Sequence, residues 1–155
     1  MADRQDAVGL HCPAPAVFAG AFVLGLLLNR FAPPAPLPSA ARLIGWALVL
    51  AGIGAAGLPA LITMRRAGTS PNPARPATAF VAAGPYRFTR HPMYLGMAVA
   101  YAGAALAANV VWALVLLPAA MAIIQRGAMM REEEYMARKF GEPYRAYMSR
   151  VRRWI

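Results

Sequence analysis

The chain has 155 residues, a length for one domain, with 59% hydrophobic residues, 14% charged residues and a formal net charge of +10. Soluble domains carry about 45–50% apolar and about 25% charged residues, so a surface that faces only water is excluded and lipid is the expected solvent for much of it. The single cysteine, Cys12, excludes an internal disulfide and a cysteine metal cluster, and His11 beside it gives two adjacent ligands, too few for a metal site.

Three uncharged runs follow one another along the chain. Ala7 to Asn29 spans 23 residues, Leu43 to Met64 spans 22, and His91 to Gln125 spans 35. A membrane helix needs about 20 apolar residues, so each of the first two runs suits one crossing. The start MADRQD sets two acids against one arginine, which reads as a retained helix rather than a signal peptide. The second run contains AGIGAAG, Ala51 to Gly57, a small-residue patch suited to close helix packing or to a ligand lying against the backbone. The segment RRAGTSPNPARPATAFVAAGPYRFTR, Arg65 to Arg90, is too rich in Gly and Pro for one continuous helix.

The third run is too long for one crossing, and we read it as a hairpin. One helix starts at Pro92, where proline suits the first turn, and reverses near Ala107-Ala108-Asn109. The second starts at about Val110, continues past Arg126 and ends near Gly141, a good residue to follow a helix C-terminus. The expected fold is therefore all-α: a single polytopic membrane domain over residues 1–155 with about four transmembrane helices. Residues 1–64 hold two of them, 65–91 form a cytoplasmic linker, 92–126 the hairpin, and 127–155 cytoplasmic helices.

The charges orient this arrangement. Fourteen of the 16 Lys and Arg fall at the N-terminus, between Met64 and Pro92, or after Gln125, and all six acids lie in the same segments. If the helices alternate, those segments share one side, and the positive-inside rule makes it the cytoplasm. The charge is thereby explained without nucleic acid. The expectation is an integral membrane protein, of a bacterial inner membrane, with both termini cytoplasmic.

Two polar stretches then meet at the cytoplasmic edge. GPYRFTRHPMYLG, Gly84 to Gly96, opens the hairpin; REEEYMARKFGEPYRAYMSRVRRWI, Arg131 to Ile155, follows it. The open N–H groups of a helix starting at Pro92 favour an anion, Tyr94 lies in that first turn, and Gly96 lets another group approach the backbone. Glu132, Glu133 and Glu134 point in three directions about 100° apart on a helix, so at most some face one site. A carboxylate turned to the hairpin mouth suits a ribose or a cationic ligand. Tyr144 and Tyr147, three apart, share a helix face. No P-loop, HExxH or nucleophile elbow is present, and GIG at Gly52 neither follows a strand nor opens a βαβ unit.

These residues resemble the integral-membrane methyltransferases of the isoprenylcysteine carboxyl methyltransferase and phospholipid methyltransferase superfamily. The family pattern RHPxYxG reads here as Arg90-His91-Pro92, Tyr94 and Gly96. The second, EExxLxxxFGxxYxxY, reads as Glu132-Glu133, Met136, Phe140-Gly141, Tyr144 and Tyr147. The resemblance covers about Gly68 to Trp154. It implies S-adenosylmethionine as cofactor, held by Tyr86, His91, Tyr94, Gly96, Glu132 and Glu133. It implies Glu133 and Arg90 as catalytic groups, and Arg126, Arg131 and Tyr144 toward the substrate, with no metal. The partner implied is a lipophilic methyl acceptor entering from the bilayer: a carboxylate, an amine or a thiol. Three departures stand out: Met136 for leucine, Val151-Arg152-Arg153 for VPR, and Ala128 where eukaryotic isoprenylcysteine enzymes carry an arginine, a place that Arg126 or Arg131 could fill. The competing readings are a non-catalytic membrane scaffold or lipid-binding protein, and an NADPH-dependent membrane reductase.

Overall fold

A computed structural model describes residues 13–72 and 75–155; His11 and Cys12 lie outside them. Every regular element among the described residues is helical. Helix α1 is Ala14–Phe31 and α2 is Ala40–Arg66; α3 is Pro92–Ala107, α4 is Val111–Phe140 and α5 is Glu142–Arg150. Three of these, α1, α2 and α4, are long and apolar enough to cross a membrane. Helix α3 is apolar too but has 16 residues, or about 24 Å at 1.5 Å per residue, short of a hydrocarbon core of about 30 Å.

Helix starts and stops follow the local sequence. Pro15, Pro92 and Pro143 sit in the first turns of α1, α3 and α5, where the missing N–H costs nothing. Helix α4 ends where Gly141 adopts φ 62°, the left-handed region that glycine enters freely. The reversal between α3 and α4 uses Asn109 at φ 57°, the non-glycine residue type that best tolerates that region. Its carbonyl accepts from Asn29 Nδ2 at 3.3 Å and its side-chain oxygen accepts from the Leu37 N–H at 2.9 Å. The α1–α2 connection and the hairpin turn are thus tied together at that end.

Packing relies on small residues. Helix α2 widens to a π-helical stretch at Gly52–Gly57, and there it lies backbone to backbone on α3. A Cβ built on Gly52 would lie 2.5 Å from the Gly96 carbonyl oxygen, and one on Gly96 would lie 2.6 Å from the Gly52 oxygen. Gly45 and Gly103 repeat the contact seven residues away on each helix: a Cβ on Gly45 would lie 2.6 Å from the Gly103 oxygen, and one on Gly103 2.5 Å from the Gly45 oxygen. The AGIGAAG patch is therefore a helix-packing surface, as small residues serve in bilayers. Helix α1 packs on α4, where Gly25 meets the Ala113 backbone, and Phe18 and Phe22 of α1 ring Tyr101 of α3 at 5.4 and 5.5 Å. The outer surface carries large apolar side chains, among them Leu24, Leu27, Leu43, Ile44, Trp46, Leu50 and Val115, all exposed. In water that surface would be a liability; in lipid it is the expected one.

Helix α4 has 30 residues, about 45 Å, so it outruns the hydrocarbon core. Its apolar part gives way to charge at Arg126, and the stretch Met130–Phe140 is charged, with Glu132 and Glu133 in its first turn and Arg138 and Lys139 in its last. A π-helical turn at Gln125–Met129 marks the transition.

Candidate functional site

The site forms where the start of α3 meets the protruding end of α4. His91 precedes Pro92, and 42 residues later the returning helix brings Glu133 to it: His91 Nε2 lies 3.1 Å from Glu133 Oε1. Both are buried. Arg90 Nη1 lies 3.1 Å from the same oxygen. Arg153, in the tail after α5, closes the cluster with a bidentate pair: Nε donates to Oε1 at 2.9 Å and Nη2 to Oε2 at 2.7 Å. Burial alone would raise the Glu133 carboxyl, but the hydrogen bonds from Arg153 and His91, and the neighbouring Arg90 guanidinium, outweigh it. They hold it down at about 2. The Arg153 guanidinium is correspondingly raised, chiefly by its hydrogen bonds to Glu133.

Glu132 has a different fate. One residue on, and about 100° around the helix, its half-buried carboxylate accepts from Tyr94 Oη at 3.3 Å and lies 3.8 Å from His91 Nδ1. Glu134 faces outward and pairs with Arg138 at 2.8 Å on the exposed surface. The three adjacent acids thus serve as a buried counter-ion, a cavity wall and a surface charge.

Two cavities meet at this point. One, narrow at about 70 Å³, lies under the linker and is lined by Phe80, Tyr86, Tyr135, Met136, Tyr144 and Tyr147 among others. The other, about 450 Å³, opens beside the first turns of α1 and α3, between Pro13, Ala14, Pro15, Met93, Tyr94 and Met97. They share Pro71, Asn72, Tyr86, Arg90, His91 and Glu132. The larger volume falls within the range of about 300–1,000 Å³ usual for small-ligand sites.

The linker roofs the narrow cavity. The Ala77 N–H donates to Tyr135 Oη at 3.1 Å, and Thr78 ties back through its N–H to Thr69 Oγ1 at 3.1 Å and through Oγ1 to the Gly68 carbonyl at 2.7 Å. Phe80 packs edge-on against Tyr144 and Tyr147, with ring centroids 5.5 and 5.2 Å away. The two tyrosines are therefore buried in the cavity wall rather than spread on the membrane surface. Tyr147 Oη also donates to the Tyr86 carbonyl at 2.7 Å. Burial, then the Glu132 and Glu133 carboxylates, push the Tyr144 phenol up. Burial, then Glu132 and Tyr147, do the same for Tyr86. Both remain neutral hydroxyls.

The sequence-predicted residues divide by position. Arg90, His91, Tyr94, Tyr86, Glu132 and Tyr144 all line one or both cavities. Glu133 lies behind them, fully engaged by cations, and lines neither. Gly96 also lines neither; the group that approaches its backbone is Gly52 of α2. Arg126 and Arg131 line a surface depression on the far side of the Glu133–Arg153 pair, both of which line it too, and it shares no residue with the two cavities. The matching position Ala128 is buried.

Sequence reasoning overlooked the tail. Beyond Arg153's ion pair, the Arg90 N–H donates to the Arg152 carbonyl at 3.0 Å, and Thr89 Oγ1 donates to the Arg153 carbonyl at 2.9 Å. Trp154 Nε1 donates to Gln125 Oε1 at 2.7 Å. The signal available was an unmatched excess of arginine at the chain end, which reads by default as solvated charge.

Comparisons with curated proteins and with solved structures find no match. A family model described as phospholipid methyltransferase matches residues 40–143. That stretch runs from the start of α2 through the glycine-packed hairpin, the His91–Glu133 contact and the first turn of α5, and it is most of the chain. The protein is a member of the phospholipid methyltransferase family.

Proposed function

We propose that the chain transfers a methyl group from S-adenosylmethionine to a lipophilic acceptor at the cytoplasmic face of a membrane. The observation that carries this reading is the junction of a large apolar cavity and a narrower, more polar one at His91 and Glu132, in a chain of a methyltransferase family. On this reading α3 is a fourth, short crossing, the termini share the cytoplasmic side, and the linker and the C-terminal helices form the water-facing half of the pocket.

The residues present fit the cofactor. Glu132 offers a carboxylate to a cationic group, steadied by Tyr94. Arg90 Nε is a buried donor without a partner among the described residues, at a residue that lines both cavities, and it suits a carboxylate. Phe80, Tyr144 and Tyr147 present rings to an aromatic base. When bound, S-adenosylmethionine supplies an electrophilic methyl group open to in-line displacement. The chain's part is positioning, which can lower such a barrier by roughly 7–11 kcal/mol. Pro15, Met93 and Met97 give the larger cavity apolar walls for an acceptor arriving from the bilayer. Glu133 is a scaffold on this reading: it fixes Arg90 and His91, which face the ligands. The acceptor is a carboxylate, an amine or another small lipophile.

Two measurements test this. Calorimetry with S-adenosylhomocysteine on the folded, detergent-purified protein should show binding, weakened at least about tenfold in Glu132→Gln, which is the loss of about one charge-assisted contact. Incubation with labelled S-adenosylmethionine and total membrane lipid should yield a labelled lipid by mass spectrometry. No binding by folded wild type refutes the proposal.

A further inference from the structure

We propose that Arg153 and Glu133 fix the tautomer of His91, so that its Nδ1 lone pair faces the cavity junction and takes the proton that a methylated acceptor must lose. This rests on the methyl-transfer reading above. The argument starts from Glu133. A carboxylate gripped through both oxygens by one guanidinium, with a second guanidinium at 3.1 Å, is ionised and accepts hydrogen bonds only. The partner of its Oε1 at 3.1 Å, His91 Nε2, must therefore carry a proton. In the neutral ring Nδ1 then carries none. The ring is buried, and the residue lines both cavities.

What faces Nδ1 is Glu132 Oε2, 3.8 Å away, itself holding a hydrogen bond from Tyr94. Two acceptors thus confront each other across a gap at the wall of both cavities. A group that carries a proton and enters that space has two acceptors to meet. The charged groups around the ring are accounted for: Glu132 and Glu133 on α4, Arg90 just before it in sequence, and Arg153 on the tail, with Tyr94 the hydroxyl on α3. Orientation of a histidine by a carboxylate on its far nitrogen is the logic of hydrolase triads.

The step balances. The acceptor heteroatom forms a bond to the methyl carbon, the methyl–sulfur bond breaks with its electron pair left on sulfur, and the acceptor's proton moves to His91 Nδ1. The imidazolium is then flanked by Glu133 at 3.1 Å and Glu132 at 3.8 Å, and half-buried Glu132 leads the proton to solvent. The substrate class follows: an acceptor atom bearing a proton, such as an amine, hydroxyl or thiol, rather than a carboxylate. Arg153 and Glu133 are positioning residues, and His91 touches the reacting group.

The test uses the full chain in nanodiscs with ¹⁵N-histidine, which labels only His11 and His91; His91→Gln assigns the signals. The expected wild-type His91 spectrum has a protonated Nε2 and a bare Nδ1, and Arg153→Gln should mix the tautomers. With labelled S-adenosylmethionine and total membrane lipid, Arg153→Gln should lower kcat at least about 100-fold, the lower range for general-base catalysis. Its S-adenosylhomocysteine affinity should stay within about threefold, roughly 0.7 kcal/mol, and Arg153→Lys should restore part of the rate. A protonated Nδ1 in a neutral wild-type ring, or an Arg153→Gln variant with unchanged kcat, overturns the relay. A wild type that fails to bind S-adenosylhomocysteine refutes the methyl-transfer reading instead, and the binding isotherm reports that separately from the histidine spectrum.

Discussion

Gly96→Ala isolates the contact that holds the hairpin in place. The added Cβ would lie 2.6 Å from the Gly52 carbonyl oxygen and 2.9 Å from the Gly57 nitrogen, both backbone atoms that no side-chain rotation can move. Ordinary contact begins at 3.4 Å, so α3 must retreat from α2 by roughly 0.8 Å, the difference from 2.6 Å. Overpacking of this kind costs about 1–3 kcal/mol. At about 2–4 °C per kcal/mol for a chain of this size, the midpoint of thermal unfolding in detergent should fall by roughly 2–12 °C. The internal control is Gly54→Ala, in the same π-helical stretch, where an added Cβ meets nothing within 4 Å. There alanine's better helix propensity should leave stability unchanged or raise it by up to about 1 kcal/mol. Tryptophan fluorescence of the three Trp residues follows the melt. Equal midpoints for Gly96→Ala, Gly54→Ala and wild type would refute the backbone-to-backbone packing of α2 on α3.

Other consequences are as direct. Glu133 is held at about 2, down from 4.5. Its folded form is favoured by about 3 kcal/mol above pH 4.5, and this stability is lost as the pH falls toward 2. Wild-type melting should therefore drop across that window more steeply than that of Glu133→Gln, and equal slopes would count against a buried ionised carboxylate. Tyr101→Phe removes the hydrogen bond from its hydroxyl to the Ala113 carbonyl, 3.1 Å, and should cost about 0.5–1.5 kcal/mol by chemical denaturation. The linker bonds that Ala77 and Thr78 make should exchange their amide hydrogens more slowly once S-adenosylhomocysteine is added, and an unaltered rate would argue that the linker does not roof the ligand.

The helices were legible because their cause is local: long uncharged runs, prolines at first turns, a glycine after Phe140. The all-helical fold needed only those signals. The first two helices extend past the runs that mark them, α1 to Phe31 and α2 from Ala40 to Arg66, because an arginine at a helix end reaches to the interface without breaking the backbone. The division among Glu132, Glu133 and Glu134 was not legible. Each acid has the same neighbours in sequence, and only the facing helix and the tail decide which meets cations. Arg153 was missed for a related reason: the residues it engages are 20 or more positions away, and no local pattern marks such a pair. Arg126 and Arg131, offered in place of the arginine absent at Ala128, line with Glu133 and Arg153 a depression that shares no residue with the two cavities.

Helical phase in this part of α4 is set by the π-helical turn at Gln125–Met129. A π turn accommodates one more residue than an α turn, so everything after it is rotated by about 100°. Without that rotation a different member of the acid triplet would meet His91. Gln125, at the start of that turn, accepts through Oε1 from the Trp154 indole, which anchors the tail within reach of Glu133. The same turn thus aims the carboxylate and fixes the segment that supplies its guanidinium. The apolar hairpin sets how near His91 and α4 come; the turn and the tail together set which side chain arrives there and in what charge state.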